Sequence, residues 1–154
     1  MNAVATATTT TDSIVEEIVI QAPAERIFRA LTSPTELLQW WASEGNFRAT
    51  HVECDPRPGG GWMMRVEGSC GNSSCTTVTG RYLEVDPPRL LVFTWLREEE
   101  SDSETTVRWD LSEANGSTTV RVSHSGFTSE RMRLRNNGWP LIQQLLQTFV
   151  EEHI

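Results

Sequence analysis

The chain contains no lysine; all thirteen of its basic residues are arginines. Lysine Schiff-base chemistry is therefore excluded. Nothing in folding physics requires the arginine bias, which reads as genomic base composition. Twenty-one acidic residues outnumber the arginines and leave a formal charge of −8. That balance works against a phosphate backbone, so nucleic acid is not an expected partner. No apolar run approaches the ~18 residues of a membrane helix, and residues 1–13 lack the basic start and apolar stretch of a signal peptide. The expectation is a cytoplasmic protein with no membrane partner. Its Ala/Thr-rich residues 1–13 read as a disordered tail and residues 14–154 as one domain, long enough to bury a normal core without staples.

Cysteine is also scarce. Cys54, Cys70 and Cys75 are too few for a disulfide framework, and the spacing of the last two is loose for a zinc pair. Free thiols near a turn are expected, with no metal. Gly59-Gly60-Gly61 leads into a strand pattern instead of opening a helix, which is the wrong context for a phosphate loop. No cofactor is expected.

What the chain does have is a clear order of elements. A strand over about Ile14–Gln21 runs into two short helices, each opened by a proline, Pro23 and Pro34, with Ser33 placed to cap the second. Ile27, Phe28 and Leu31, then Leu37, Leu38 and Trp41, give each helix one apolar stripe. Alternation predicts a strand over Phe47–Asp55. From Trp62 onward, Trp62, Met64 and Val66 share an inner face opposite Met63, Arg65 and Glu67. Further strands are predicted over about Thr76–Asp86 and Leu90–Leu96, the latter with Leu91, Phe93 and Trp95 on one face. The acidic stretch Glu98–Glu104 reads as a solvated loop. Asn115-Gly116 is the strongest turn signal, and a two-residue type I′ loop there sets Leu111 opposite Val120, Trp109 opposite Val122 and Val107 opposite His124. Thr128 begins the last element, an amphipathic helix in which Pro140 forces a kink near Gly138 or a restart capped by Asn137.

Six motifs in order carry a resemblance. They are Ala22-Pro23 with Trp40-Trp41, Asp55-Pro56-Arg57-Pro58-Gly59-Gly60, the run from Gly80 to Pro88, Phe93-Thr94-Trp95, His124-Ser125-Gly126-Phe127 and Gly138-Trp139-Pro140. Over residues 14–152 the chain resembles the proteins similar to the C-terminal domain of the Hsp90 ATPase activator, within the START/Bet v 1-like (SRPBCC) superfamily. The resemblance implies an α+β helix-grip fold: a curved antiparallel sheet of about six or seven strands around a long C-terminal helix, with two short helices after strand one. It also implies a cavity between sheet and helix, and three kinds of function. The first is a non-enzymatic binding module for a small hydrophobic or aromatic ligand. The second is an interaction module for a chaperone or another protein. The third is an aromatase- or cyclase-like enzyme.

Six tryptophans are many for this length, and indoles combine a large apolar surface with one orienting N–H. The candidate ligand-binding residues are Leu38, Trp41, Trp62, Met64, Phe93, Trp95, Trp109, His124, Trp139 and Ile142. His124 is the one histidine expected on the inner face, but Asp110 and Ser123 point the other way, so no Ser-His-Asp arrangement forms and no catalytic residue is assigned. Tyr82, and His51 and Glu53 on the inner edge of their strand, are the other polar groups an enzyme would need.

Overall fold

A computed structural model describes residues 13–43, 46–68, 75–100 and 103–153. The tail expected over residues 1–13 lies outside them except for Ser13, which opens the first strand, and Cys70 lies outside them too. In chain order the elements are β1 (Ser13–Ile20), α1 (Ala24–Thr32), α2 (Pro34–Trp40), β2 (Ala42–Ser43), β3 (Phe47–Cys54), β4 (Gly61–Gly68), β5 (Cys75–Asp86), β6 (Leu90–Arg97), β7 (Thr105–Ala114), β8 (Ser117–Ser125), α3 (Glu130–Arg135) and α4 (Trp139–Glu152). The strands form one antiparallel sheet in the order β1-β8-β7-β6-β5-β4-β3-β2. It curls into a half-barrel around α4, the helix-grip arrangement. The strand count is eight, above the six or seven expected. The addition is β2, two residues that pair back onto Arg48 and Phe47 and are too short to show a period.

Local chemistry accounts for most boundaries. Pro23 stands as the cap of α1, and the Ser33 side chain accepts from the Glu36 N–H to start α2. Asn115 and Gly116 both take positive φ, as a type I′ turn requires, and β7 pairs with β8 in the expected register throughout. Glu98–Glu100 forms a single 3-10 turn, and its acids do more than face solvent. Glu98 accepts from the Thr77 N–H at 2.9 Å, and Glu99 accepts from Thr76 and from Arg97.

Two features depart from simple periodicity. In β3 the register with β4 shifts between Ala49 and His51, a bulge that inverts the alternation beyond it. Val52 turns inward, while His51 and Glu53 lie exposed on the outer face and pair with each other at 2.7 Å. Their expected place on the inner edge is thus corrected. At the C-terminus the helix restarts instead of kinking: α3, capped by Ser129, ends at Arg135, and α4 begins at Trp139 with Gly138, not Asn137, in the cap position. Pro140 then sits in the first turn of α4, where its missing N–H costs nothing.

The core lies between the concave face and α4. Ile142, Leu146, Phe149 and Val150 are buried on the helix, facing Val107, Trp109, Val120 and Val122 among the sheet residues of the same cluster. Gln143, also buried, donates to the carbonyls of Glu16 and Val120, and Gln147 donates to Val19. The Gln143 amide thus bridges β1 and β8, and the two glutamines fasten α4 to the backbone of the sheet. At the far end of α4, the buried Arg26 of α1 pairs with Glu36 of α2 at 2.8 Å and donates to the His153 carbonyl. Its guanidinium also lies 5.4 Å from the Phe149 ring centre, tying three helices together.

Gly80 marks a close approach that fixes the curl. A Cβ there would collide with the Thr94 carbonyl and the Trp62 indole nitrogen, which are hydrogen-bonded to each other at 3.0 Å. Gly80→Ala is therefore expected to destabilise the fold by roughly 1–3 kcal/mol through overpacking and loss of that bond. A urea titration followed by circular dichroism measures it, and unchanged stability would show that the β5–β6 approach is not tight.

Candidate ligand pocket

Strand parity builds the pocket. Along β6 the inward series Leu91, Phe93, Trp95 ends in Arg97; along β4 it runs Trp62, Met64, Val66; along β5 it includes Thr76 and Val78. With the first turn of α4 and the residue after α2, these side chains line a half-open cavity of about 330 Å³. Trp41, Met64, Val78, Trp95, Trp139 and Ile142 make its apolar walls. Thr76, Arg97, Asn46 and Asn136 supply polar groups around the remainder.

Three indoles frame the apolar part. Ring centres of Trp95 and Trp139 lie 5.5 Å apart, and Trp41 lies 6.4 Å from the first and 6.1 Å from the second. Such tilted and edge-on contacts satisfy the aromatic quadrupole better than a face-to-face stack. The orientation of Trp95 and Trp139 is held from behind by a chain of hydrogen bonds. Trp139 Nε1–H donates to His124 Nδ1 at 3.1 Å, which leaves the imidazole proton on Nε2. That N–H meets Thr105 Oγ1 at 2.7 Å, and the Thr105 hydroxyl donates to the Trp95 carbonyl. Trp95 Nε1–H in turn donates to Asn136 Oδ1 at 3.2 Å, whose amide caps the Met132 carbonyl. Burial, with the Arg97 charge adding to it, pushes His124 down to about 3, so the ring is neutral at physiological pH.

The sequence model of the family described as activator of Hsp90 ATPase homolog 1-like protein matches residues 21–151. The chain belongs to that family. Solved structures agree on its fold. A protein from Chromobacterium violaceum superposes with a TM-score of 0.79 at 25% identity, over 91% of this chain and 98% of its own. The AHSA1 protein from Silicibacter pomeroyi gives 0.78 at 21% identity, over 92% and 99%. CalU16 from Micromonospora echinospora gives 0.67 at 26% identity, over 90% of this chain and 75% of its own. No curated protein matches the sequence.

In this member of the activator-like family, five of the ten candidate residues meet at the cavity: Trp41, Met64, Trp95, Trp139 and Ile142. Trp62, Phe93 and Trp109 lie deeper, around a void of only about 30 Å³ that is essentially filled by side chains. Two further candidates lie off the cavity wall. Leu38 is 36% exposed on the outer face of α2, because Leu37 takes the inward position of that turn. His124 is fully buried behind Trp95 and Trp139, and its two partners, Thr105 and Trp139, come from a neighbouring strand and from α4. Tyr82 lies away from the cavity beside Cys54, where burial pushes both the phenol and the thiol above their usual ranges.

Several lining residues escaped the sequence reading. Arg97 continues the β6 alternation by one step, so it was within reach of the same argument that placed Trp95. Val78 and Thr76 follow in the same way from β5. Asn136 carried no such signal, because its position depends on where α3 stops.

Proposed function

We propose that this protein binds a small hydrophobic or aromatic molecule in the cavity between the sheet and α4. The observation that carries the reading is the cavity of about 330 Å³ walled by three indoles, two of which, Trp95 and Trp139, have their N–H groups and ring orientations fixed from behind. Its size sits at the low end of the ~300–1,000 Å³ range of small-molecule sites, which suits a compound of a few rings better than a two-chain lipid. A pre-formed pocket also avoids the ordering cost that a collapsed one would impose on binding. The family's generally hydrophobic, ligand-binding cavity supports the same reading.

An enzymatic reading finds less support. Among the described lining residues none is a carboxylate, histidine, cysteine or tyrosine, so proton transfer has no donor or acceptor of suitable pKa within reach. The four groups considered for an aromatase- or cyclase-like reaction, His124, Tyr82, His51 and Glu53, are each buried elsewhere or turned outward.

Screening the purified protein against apolar and aromatic compounds by native mass spectrometry tests the proposal. Val66, half-buried on the cavity wall, offers the control. Val66→Trp is expected to fill the space and reduce affinity for any hit at least about tenfold, with little loss of stability. Hits that bind Val66→Trp as well as the parent would place the ligand elsewhere. A chaperone or other protein captured equally by both forms, with no small-molecule hit, would favour the interaction-module alternative.

A further inference from the structure

We infer that the ligand is an acid: a compact apolar, ring-bearing molecule whose carboxylate is received by Arg97. The inference rests on the pocket being a ligand site and specifies the chemistry of its occupant. Arg97 ends the inward-facing series of β6, directly after Trp95, and is the one cation among the described residues that line the cavity. No acidic side chain lines it with Arg97. A guanidinium on the wall of a largely apolar cavity is partly desolvated, which favours an anionic partner at any of its donors left open.

Glu99 forms an ion pair with Arg97 but engages only its Nε and Nη2, which leaves the other edge of the guanidinium open. It takes Arg97 Nε at 3.1 Å and Nη2 at 2.8 Å with one oxygen, from the 3-10 turn that follows β6. Thr76 donates to the other oxygen of Glu99, so the carboxylate is itself held in place. The Glu99 carboxyl is kept below its usual range by the Thr76 and Arg97 contacts against the opposing effect of burial. Among the described residues Arg97 Nη1 has no hydrogen-bond partner, and it is not sealed from solvent. A guanidinium held on one edge and unsatisfied on the other is pre-organised to accept a carboxylate, since its planar fork loses little freedom on binding. The indoles of Trp41, Trp95 and Trp139 then receive the rings. The Trp95 and Trp139 N–H groups are already engaged, so the head group has little competition to draw it away from Arg97.

Calorimetric titration with 2-naphthoate and with its neutral isostere 2-naphthamide tests the inference. The wild-type protein is expected to bind the acid at least about tenfold more tightly than the amide, as for a hydrogen bond to a charged group. Arg97→Gln, which retains donor groups, should bring that ratio close to one while leaving amide affinity within about threefold. Glu99→Gln removes the competing negative charge and should strengthen binding of the acid several-fold without changing the amide. Equal or better binding of the amide by wild-type protein, or a ratio unmoved by either substitution, would overturn the acid assignment while the hydrophobic pocket stands. Failure of both probes, together with an empty native mass spectrometry screen, would overturn the pocket reading as well.

Discussion

Trp139→Ala is expected to lower the unfolding free energy by about 3–5 kcal/mol, the range for deleting a buried tryptophan. The indole is 3% exposed, touches the rings of Trp41, Trp95, Trp109 and His124, and starts the helix on which the sheet closes. Part of the cost is apolar contact and part is the hydrogen bond to His124 Nδ1. Trp139→Phe separates the two. It keeps a ring in place but leaves a fully buried imidazole nitrogen with no donor, for which about 1–3 kcal/mol is expected. Denaturant titrations of both variants at neutral pH measure these costs. If Trp139→Phe proved as stable as the parent, the bond would not be holding the imidazole, and the neutral tautomer would need another explanation. The alanine variant should also lose the ligand, because it removes one of the three indole walls.

The second large effect is a loss of stability in acid that depends on His124. Its folded pKa is pushed down to about 3 by burial, from an ordinary value of 6.5. Between these values the unfolded chain binds a proton that the folded chain refuses, so stability must rise with pH across this window. The contribution is complete above pH ~6.5 and drains away as pH falls toward ~3, by up to about 1.4 kcal/mol per pH unit. Its total is on the order of 5 kcal/mol, comparable with the whole stability of a small domain. The ring has no room for a second proton: Nδ1 already accepts from Trp139, and Arg97 adds an unfavourable charge. His124→Gln should flatten the pH dependence of unfolding between about pH 4 and 6.5 relative to the parent, even if it is less stable at pH 7. Parallel slopes for the two proteins would show that carboxylates elsewhere govern acid unfolding.

These predictions assign His124 to a part quite different from acid–base catalysis. Its ring links β7, β8 and α4 through Thr105 and Trp139, at the place where the sheet meets the helix. The pocket's shape therefore depends on a buried polar chain that reaches from Trp139 to Trp95 and on to Asn136. Such networks stabilise when every member is satisfied and become costly when one partner is lost. In this protein the same chain that stabilises the fold also fixes two of the walls that would meet a ligand.

How much was legible varied with the kind of signal. The β7–β8 hairpin was readable to the individual pair, because a two-residue loop at Asn115-Gly116 sets the register and that register puts Val107, Trp109 and Leu111 on the same face as Val120 and Val122. The inward series of β6 was readable for the same reason, and continuing it one residue would have exposed Arg97. In β3 the argument failed at the bulge. Period-two reasoning carried His51 and Glu53 inward, and only the pairing with β4 shows the extra residue that turns them outward. On α2 the apolar pair Leu37 and Leu38 left two inward orientations open, and packing against the rest of the core chose Leu37.

By itself, then, the sequence determined the family, the helix-grip architecture and the inner-face identity of most strand residues. The family and the architecture rest on the resemblance carried by the six motifs; the elements and inner faces rest on local rules, namely a side-chain period of two in strands, proline and serine at helix starts, and a turn that tolerates positive φ only with residues such as Asn and Gly. The tertiary structure decided what those local rules do not reach. It put Leu38 outside and His124 behind the pocket, made His124 neutral, and separated a true cavity at Trp41, Trp95 and Trp139 from the filled interior at Trp62, Phe93 and Trp109. The physical reason is that burial, hydrogen-bond partners and empty volume belong to groups brought together from distant parts of the chain. Trp139 and Thr105 meet His124 only after α4 has docked against the curled sheet.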